Sequence, residues 1–151
     1  MQKRKKVLIY GYGNPGRQDD GLGIKIAEDI GNWANENHYD YIKTDINYQL
    51  NIEDADLIKD FDLVLFADAT IEEDVHDYKI AEVIPSGKTE FTMHAVSPAF
   101  VLFLCHSLYN VYPETILVHI KGYEWELKEG LSDSGIKNLN KAKQKILKII
   151  E

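Results

Sequence analysis

Short apolar runs alternate along the chain with longer segments in which apolar residues recur at helical spacing. The runs have the length of buried or half-buried strands and lie at residues 6–10, 39–45, 61–67, 79–84 and 115–121. The helical patterns begin at Gly21, at Leu50, at Pro98 with Ser97 as N-cap, and at Ser132 or Asp133. Strands that alternate with helices predict right-handed βαβ units. We therefore predict a single three-layer α/β/α domain over residues 1–151, with a twisted, mostly parallel sheet flanked by helices.

Composition and charge narrow the surroundings and partners of this domain. Hydrophobic residues make up 44% of the 151, enough for a packed core. With 25 acidic and 17 basic residues, the net charge of -8 disfavours binding to nucleic acid or to an anionic membrane. Cys105 is the only cysteine, so we expect no disulfide, and a cytoplasmic location. No apolar stretch approaches the roughly 20 residues that cross a bilayer, so we expect no membrane segment.

The stretch GYGNPG at residues 11–16 follows the first predicted strand and fits G-x-G-x-x-G, the glycine pattern of dinucleotide-binding loops. Asp45, near the end of the second predicted strand, has the place of a ribose-binding acid. However, Asp19 and Asp20 lie where a pyrophosphate would rest, and two unit charges 4 Å apart repel by roughly 4 kcal/mol at an effective dielectric of about 20. Asp19 is a suitable N-cap for the following helix, which leaves Asp20 without a structural role.

Three metal-ligating side chains fall where a parallel sheet gathers its functional residues. Asp20 follows the first predicted strand, Asp68 directly follows the third, and His94 precedes the helix that begins at Pro98. Singly, Asp68 can cap a turn and His94 can be a hydrogen-bonded structural residue. Together they can converge at the carboxyl edge of the sheet. Two carboxylates and one imidazole suit a divalent transition metal such as nickel or zinc, with coordination positions left open.

The segment GYGNPGRQDDGLG resembles the G-x-G-N-x-x-x-x-D-[DE]-x-x-G signature of the hydrogenase maturation endopeptidases. Its matching residues are Asn14, Asp19, Asp20 and Gly23. LVLFADAT is similar to the family's strand followed by Asp-Ala and contains Asp68, and MHAVSPAFVLFL is similar to its histidine-then-helix segment and contains His94. GLS before the last helix also matches. The chain departs from the family at YEWE, residues 123–126, where a proline-containing stretch is usual.

The resemblance implies an endopeptidase that removes a C-terminal peptide from the nickel-loaded precursor of a nickel–iron hydrogenase large subunit. It implies that Asp20, Asp68 and His94 are the catalytic and metal-binding residues, and that the nickel arrives with the precursor. An aspartate-based route, in which Asp20 or Asp68 activates water, is the competing mechanism. We expect a monomer whose partner is the precursor. Two other functions stay open: Rossmann-like dinucleotide binding, and non-catalytic docking of a hydrogenase subunit.

Overall fold

The computed structural model describes residues 4–88 and 96–151, and five strands and four α-helices lie in these two ranges. The strands are β1 (Val7–Tyr12), β2 (Ile42–Asn47), β3 (Leu63–Thr70), β4 (Tyr78–Glu82) and β5 (Glu114–Lys121). The helices are α1 (Leu22–Glu36), α2 (Asp54–Ile58), α3 (Pro98–Tyr109) and α4 (Asp133–Ile150), and a 3-10 segment, Pro15–Gly21, precedes α1. None of the helices in these ranges is both long and apolar enough to span a bilayer.

The strands form one sheet in the order β2-β1-β3-β5-β4. Strands β2, β1, β3 and β5 pair in parallel, and only β4, at the edge, runs antiparallel to its neighbour β5. This arrangement confirms the predicted α/β fold with a mostly parallel sheet between helices. The antiparallel edge strand is a common addition to doubly wound sheets.

Alternating side chains of the central strands fill two cores, one on each face of the sheet. Val7 and Ile9 of β1 pack with α1 and α4, whereas Leu8 and Tyr10 pack with α2 and α3. Strand β3 repeats this pattern with odd-numbered residues on the first face and even-numbered residues on the second. The period of two in a strand therefore explains why these runs are apolar at every position.

The sequence predicts the helix starts better than some strand limits. Ser97 caps α3 through a bond from the Phe100 N–H to its Oγ (3.1 Å), and Ser132 caps α4 in the same way through Gly135 N–H (3.0 Å). The second strand begins at Ile42 rather than at residue 39, because the chain turns there through a positive φ of 57° at His38. Helix α2 begins at Asp54 rather than at the predicted Leu50.

Candidate active site at the carboxyl ends of strands β1 and β3

The candidate site lies in a crevice that opens where β1 and β3 separate. Their pairing ends at Gly11 and Ala67. Beyond that point β1 continues to pair with β2 as far as Tyr12, while β3 continues to pair with β5 as far as Thr70. In an open parallel sheet, the carboxyl ends of two strands whose connections run in opposite directions form the usual ligand crevice.

Asp68 lies one residue past the last pair between β1 and β3. The sequence predicts that it follows the strand, but this is wrong: Asp68 is inside β3, because pairing with β5 continues through Asp68 and His119 to Thr70. Its side chain falls on the same face as Phe66 and is half-buried, and its Oδ1 accepts a 2.8 Å hydrogen bond from the Ala69 N–H. The sheet thus holds this carboxyl rigidly at the crevice.

Asp20 reaches the same crevice from the 3-10 segment that follows β1. Its Oδ2 accepts a 2.9 Å hydrogen bond from the Asn14 N–H, which closes the loop on itself. Gly13 permits this closure, since its φ is 140° and an added Cβ would lie 2.0 Å from the carbonyl oxygen of Asp20. Asn14 also ties the loop, with its Oδ1 accepting from the Gly16 N–H at 2.9 Å.

The charge of Asp20 acts on the neighbouring Asp68 carboxyl. The pKa of Asp68 is raised to about 7, chiefly by burial and also by the charge of Asp20, although hydrogen bonds from the Ala69 N–H and the Tyr12 hydroxyl lower it. Burial also raises the pKa of Tyr12, as does the neighbouring Asp68, so the phenol stays neutral and can donate a hydrogen bond. A buried carboxyl group that titrates near neutral pH is typical of catalytic or ligand-binding centres.

Asp19 has a different role from the predicted N-cap of the following helix, and that prediction is wrong. The N-cap of α1 is Gly21, and no side chain caps it. Asp19 is fully buried and accepts hydrogen bonds from the Tyr123 N–H (2.7 Å), the Glu124 N–H (3.2 Å), and both the N–H (2.8 Å) and the hydroxyl (2.6 Å) of Ser132. Burial alone raises the pKa of Asp19, but these hydrogen bonds outweigh it and hold the pKa below its ordinary value. Asp19 therefore fastens the segment 122–132 beside Asp20.

The glycine loop has few backbone donors left for a phosphate. The N–H groups of residues 13, 14, 16, 17, 18 and 19 all donate hydrogen bonds to protein oxygens, and Pro15 has none to donate. A phosphate cradle needs several such groups pointing outward. Asp45 lies on β2 opposite Tyr10 and is solvent-exposed. The loop thus delivers Asp20 to the crevice and does not resemble a pyrophosphate site.

Asp20 and Asp68 fit a divalent cation in charge and donor type, because burial and the charge of Asp20 both disfavour the ionised form of Asp68, and a nearby cation would stabilise it. The third predicted ligand, His94, lies outside the described residues. Within residues 4–88 and 96–151, no three His, Cys, Asp or Glu side chains are grouped as metal ligands. The structure therefore brings together two of the three predicted site residues.

Two features of the site are absent from the sequence prediction. The first is Tyr12, which strand alternation could have indicated. Tyr12 lies on the same face of β1 as Tyr10, and Asp68 lies on the corresponding face of β3 with Phe66. The bonds from Asp19 to the segment 122–132 join residues more than 100 positions apart. No local sequence signal indicates such a contact.

Comparisons with solved structures agree with this architecture. The hydrogenase maturation protease HycI from Thermococcus kodakarensis aligns with 97% of this chain and 93% of its own, with a TM-score of 0.76 and 19% identity. The hydrogenase maturating endopeptidase HybD from E. coli aligns with 95% and 91%, with a TM-score of 0.71 and 20% identity. The chain has the fold of the hydrogenase maturation proteases. A hydrogenase 2 maturation peptidase from a Thaumarchaeota archaeon covers 97% of both chains, with a TM-score of 0.66 and 21% identity.

Comparisons by sequence give no match to add to these structures. No family model matches the chain, and no curated protein matches it. The shared fold is therefore detected in three dimensions at identities where the sequence retains only short matching segments.

The Asp19 contacts predict a specific order of stability losses. Asp19→Ala leaves three part-buried N–H groups without their acceptor, so we expect the free energy of unfolding to fall by about 3 kcal/mol. Ser132→Ala loses one hydroxyl donor and the N-cap of α4, and we expect a loss of about 1–2 kcal/mol. Urea unfolding followed by circular dichroism measures both. The control is Asp133→Ala, an exposed first-turn residue worth less than about 1 kcal/mol. An Asp19→Ala protein as stable as this control would contradict the role of Asp19.

The raised pKa of Asp68 predicts how stability depends on pH. Between the ordinary pKa of 3.8 and about 7 the folded protein binds more protons than the unfolded chain, so its free energy of unfolding decreases as pH rises through this range. Each pKa unit corresponds to about 1.4 kcal/mol, so Asp68→Asn should be up to about 4 kcal/mol more stable than wild type at pH 8, and equally stable at pH 4. Urea unfolding in the presence of a chelator measures this difference. Asp74→Asn, at an exposed position, should follow wild type, and an Asp68→Asn profile parallel to that of wild type would rule out the raised pKa.

Proposed function

We propose that this protein is an endopeptidase that removes a C-terminal peptide from the nickel-loaded precursor of a nickel–iron hydrogenase large subunit. The observation that carries the proposal is the coupled pair Asp20 and Asp68 in the crevice between β1 and β3. This pair lies in a fold shared with proteins that are hydrogenase maturation proteases. The sequence resemblance, which includes both aspartates, supports the same function independently of the fold.

The crevice has groups suited to hydrolysis of a peptide bond. A general base works best when its pKa is close to the working pH, and the pKa of Asp68 is about 7. In the aspartate-based route, which competes with metal-assisted hydrolysis, Asp68 would accept a proton from water in its ionised form and donate one in its protonated form. Asp20 provides the second carboxylate of the crevice. Tyr12 remains a neutral donor beside them, which fixes the orientation of the Asp68 carboxyl.

Nickel in this proposal belongs to the substrate and is the element that marks a precursor as ready for cleavage. Asp20 and Asp68 would bind the inserted nickel, with His94 as the third ligand expected from the sequence. Repulsion between the two carboxylates favours a cation at this place. A bound nickel ion would supply Lewis-acid polarisation of the scissile carbonyl, whereas the residues of this chain would position the peptide and transfer the proton.

The test is cleavage of purified precursor, with and without inserted nickel, followed by mass spectrometry of the released peptide. Wild-type protein should cleave the nickel-loaded form only. We expect Asp20→Asn, Asp68→Asn and His94→Ala each to reduce cleavage at least 100-fold, because each removes a charge or ligand from the reacting site. Circular dichroism should show that all three variants remain folded.

The matched control is Asp74→Asn, which removes one exposed carboxylate and should cleave at the wild-type rate. Normal cleavage by any two of the three site variants would refute the assignment of the site. Precursor that binds tightly to wild-type protein and is released uncut would identify a non-catalytic assembly partner instead.

A further inference from the structure

A cleft of about 420 Å³ lies next to the candidate carboxylates. Asp20 forms part of its lining, and its other lining residues are Arg17, Ile71 and Trp125. Arg17 belongs to the 3-10 segment, Ile71 follows β3, and Trp125 lies in the segment 122–132 that Asp19 fastens. A peptide that places a bond at Asp20 would therefore have its neighbouring residues in this cleft.

Two of the lining side chains offer apolar surface. Ile71 is 68% exposed, a large value for an isoleucine that directly follows a central strand. The indole of Trp125 is half-buried, and its outer ring lies against Gly122, where an added Cβ would be 2.9 Å from Cζ2. The ring is thus fixed in place by its contact with the backbone. An aliphatic and an aromatic surface in one small cleft suit an apolar side chain of a ligand.

The third side chain adds a positive charge. Arg17 is exposed, and its Nε donates a 3.0 Å hydrogen bond to the carbonyl oxygen of Trp125. In the part of the chain that the structure describes, no carboxylate lies within ion-pair distance of its guanidinium. Because a guanidinium has five N–H donors in a plane, the bond through Nε orients the group and leaves donors for a carboxylate. This local cation is therefore suited to a carboxylate of a ligand in the cleft.

Hydrogen bonds hold the walls of the cleft together before any ligand binds. The Gln18 N–H donates to the Lys128 carbonyl oxygen (3.0 Å), and the Glu126 N–H donates to Gln18 Oε1 (3.0 Å). The Asp19 N–H donates to the Glu124 carbonyl oxygen (3.0 Å), and the Asp19 carboxylate returns the contact. A preformed cleft loses little conformational entropy on binding, so its contacts contribute more fully to affinity and selectivity.

We propose that this cleft is a substrate-binding subsite that selects the peptide sequence next to the cleaved bond. An apolar side chain of the peptide packs between Ile71 and Trp125, and a carboxylate on a neighbouring residue of the peptide pairs with Arg17. This inference rests on the proposed endopeptidase function, since it assigns the cleft to the same peptide that reaches Asp20.

The test measures both cleavage and direct peptide binding. With nickel-loaded precursor, Arg17→Gln and Trp125→Leu should each raise KM about tenfold with kcat nearly unchanged, because one charge-assisted or aromatic contact is lost in substrate binding. Trp125→Phe should recover most of the affinity, since it restores an aromatic wall. The controls Lys5→Gln and Leu108→Ser remove an exposed charge and an exposed apolar side chain elsewhere and should leave KM unchanged.

Peptide binding is measured by display of random octapeptides on immobilised protein. Wild-type protein should enrich peptides in which an apolar residue adjoins Asp or Glu. Arg17→Glu should instead enrich Lys or Arg at that position, a reversal that a merely structural role of Arg17 would not produce.

The outcomes separate the subsite from the endopeptidase. If wild type cleaves the precursor and the cleft variants keep its KM, the subsite is refuted and the endopeptidase stands. If wild type does not cleave the precursor, the proposed function fails, and octapeptide display alone then tests whether the cleft binds peptides. In that case, charge reversal by Arg17→Glu supports a peptide-binding cleft, and display without enrichment refutes it.

Discussion

The site depends on keeping two carboxyl groups close together although their charges repel. Asp68 cannot move away from Asp20, because it belongs to β3, which is still paired with β5 at this position although its pairing with β1 ends one residue earlier. Asp20 is held by the Asn14 N–H in a loop whose closure requires glycine at position 13. The repulsion and the burial together appear as a raised pKa at Asp68. The fold therefore sustains an electrostatic cost at this crevice, which is typical of functional sites and untypical of a surface selected only for stability.

The neighbouring Asp19 shows how the same dipeptide serves two purposes. Its carboxylate is buried and satisfied by four donors, so its charge is stabilised and its pKa is lowered. These bonds connect the loop after β1 with the segment before α4 and form the wall that carries Trp125. One aspartate thus builds the scaffold, and the next one is left with its charge in the crevice. Adjacent residues of the same type can thus have different roles, because their hydrogen-bond partners and their burial differ.

The sequence predicts the sheet and the place of the site because both follow from local patterns. Apolar runs and helical spacing indicate the strands and helices, and the carboxyl edge of a parallel sheet is where Asp20 and Asp68 were expected to meet. The sequence pattern ends β3 too early because Asp68 and Thr70 are polar, yet pairing with β5 keeps them in the strand. It also gives Asp19 the wrong role, because an N-cap is a local motif, whereas the partners of Asp19 lie more than 100 residues away. Sequence patterns indicate interactions between residues that are close along the chain. The hydrogen bonds of Asp19 join distant parts of the chain, so such patterns do not indicate them.

The most direct test of the account is a titration of the Asp68 carboxyl by NMR, using the carbon-13 shift of its carboxyl carbon in metal-free protein. We expect an apparent pKa near 7 in wild type. We expect a lower pKa in Asp20→Asn, because this change removes the repelling charge and keeps an oxygen that can accept from the Asn14 N–H. An Asp68 that titrates near its ordinary value of 3.8 and is unaffected by Asp20→Asn would show that the two carboxyl groups do not form one coupled site.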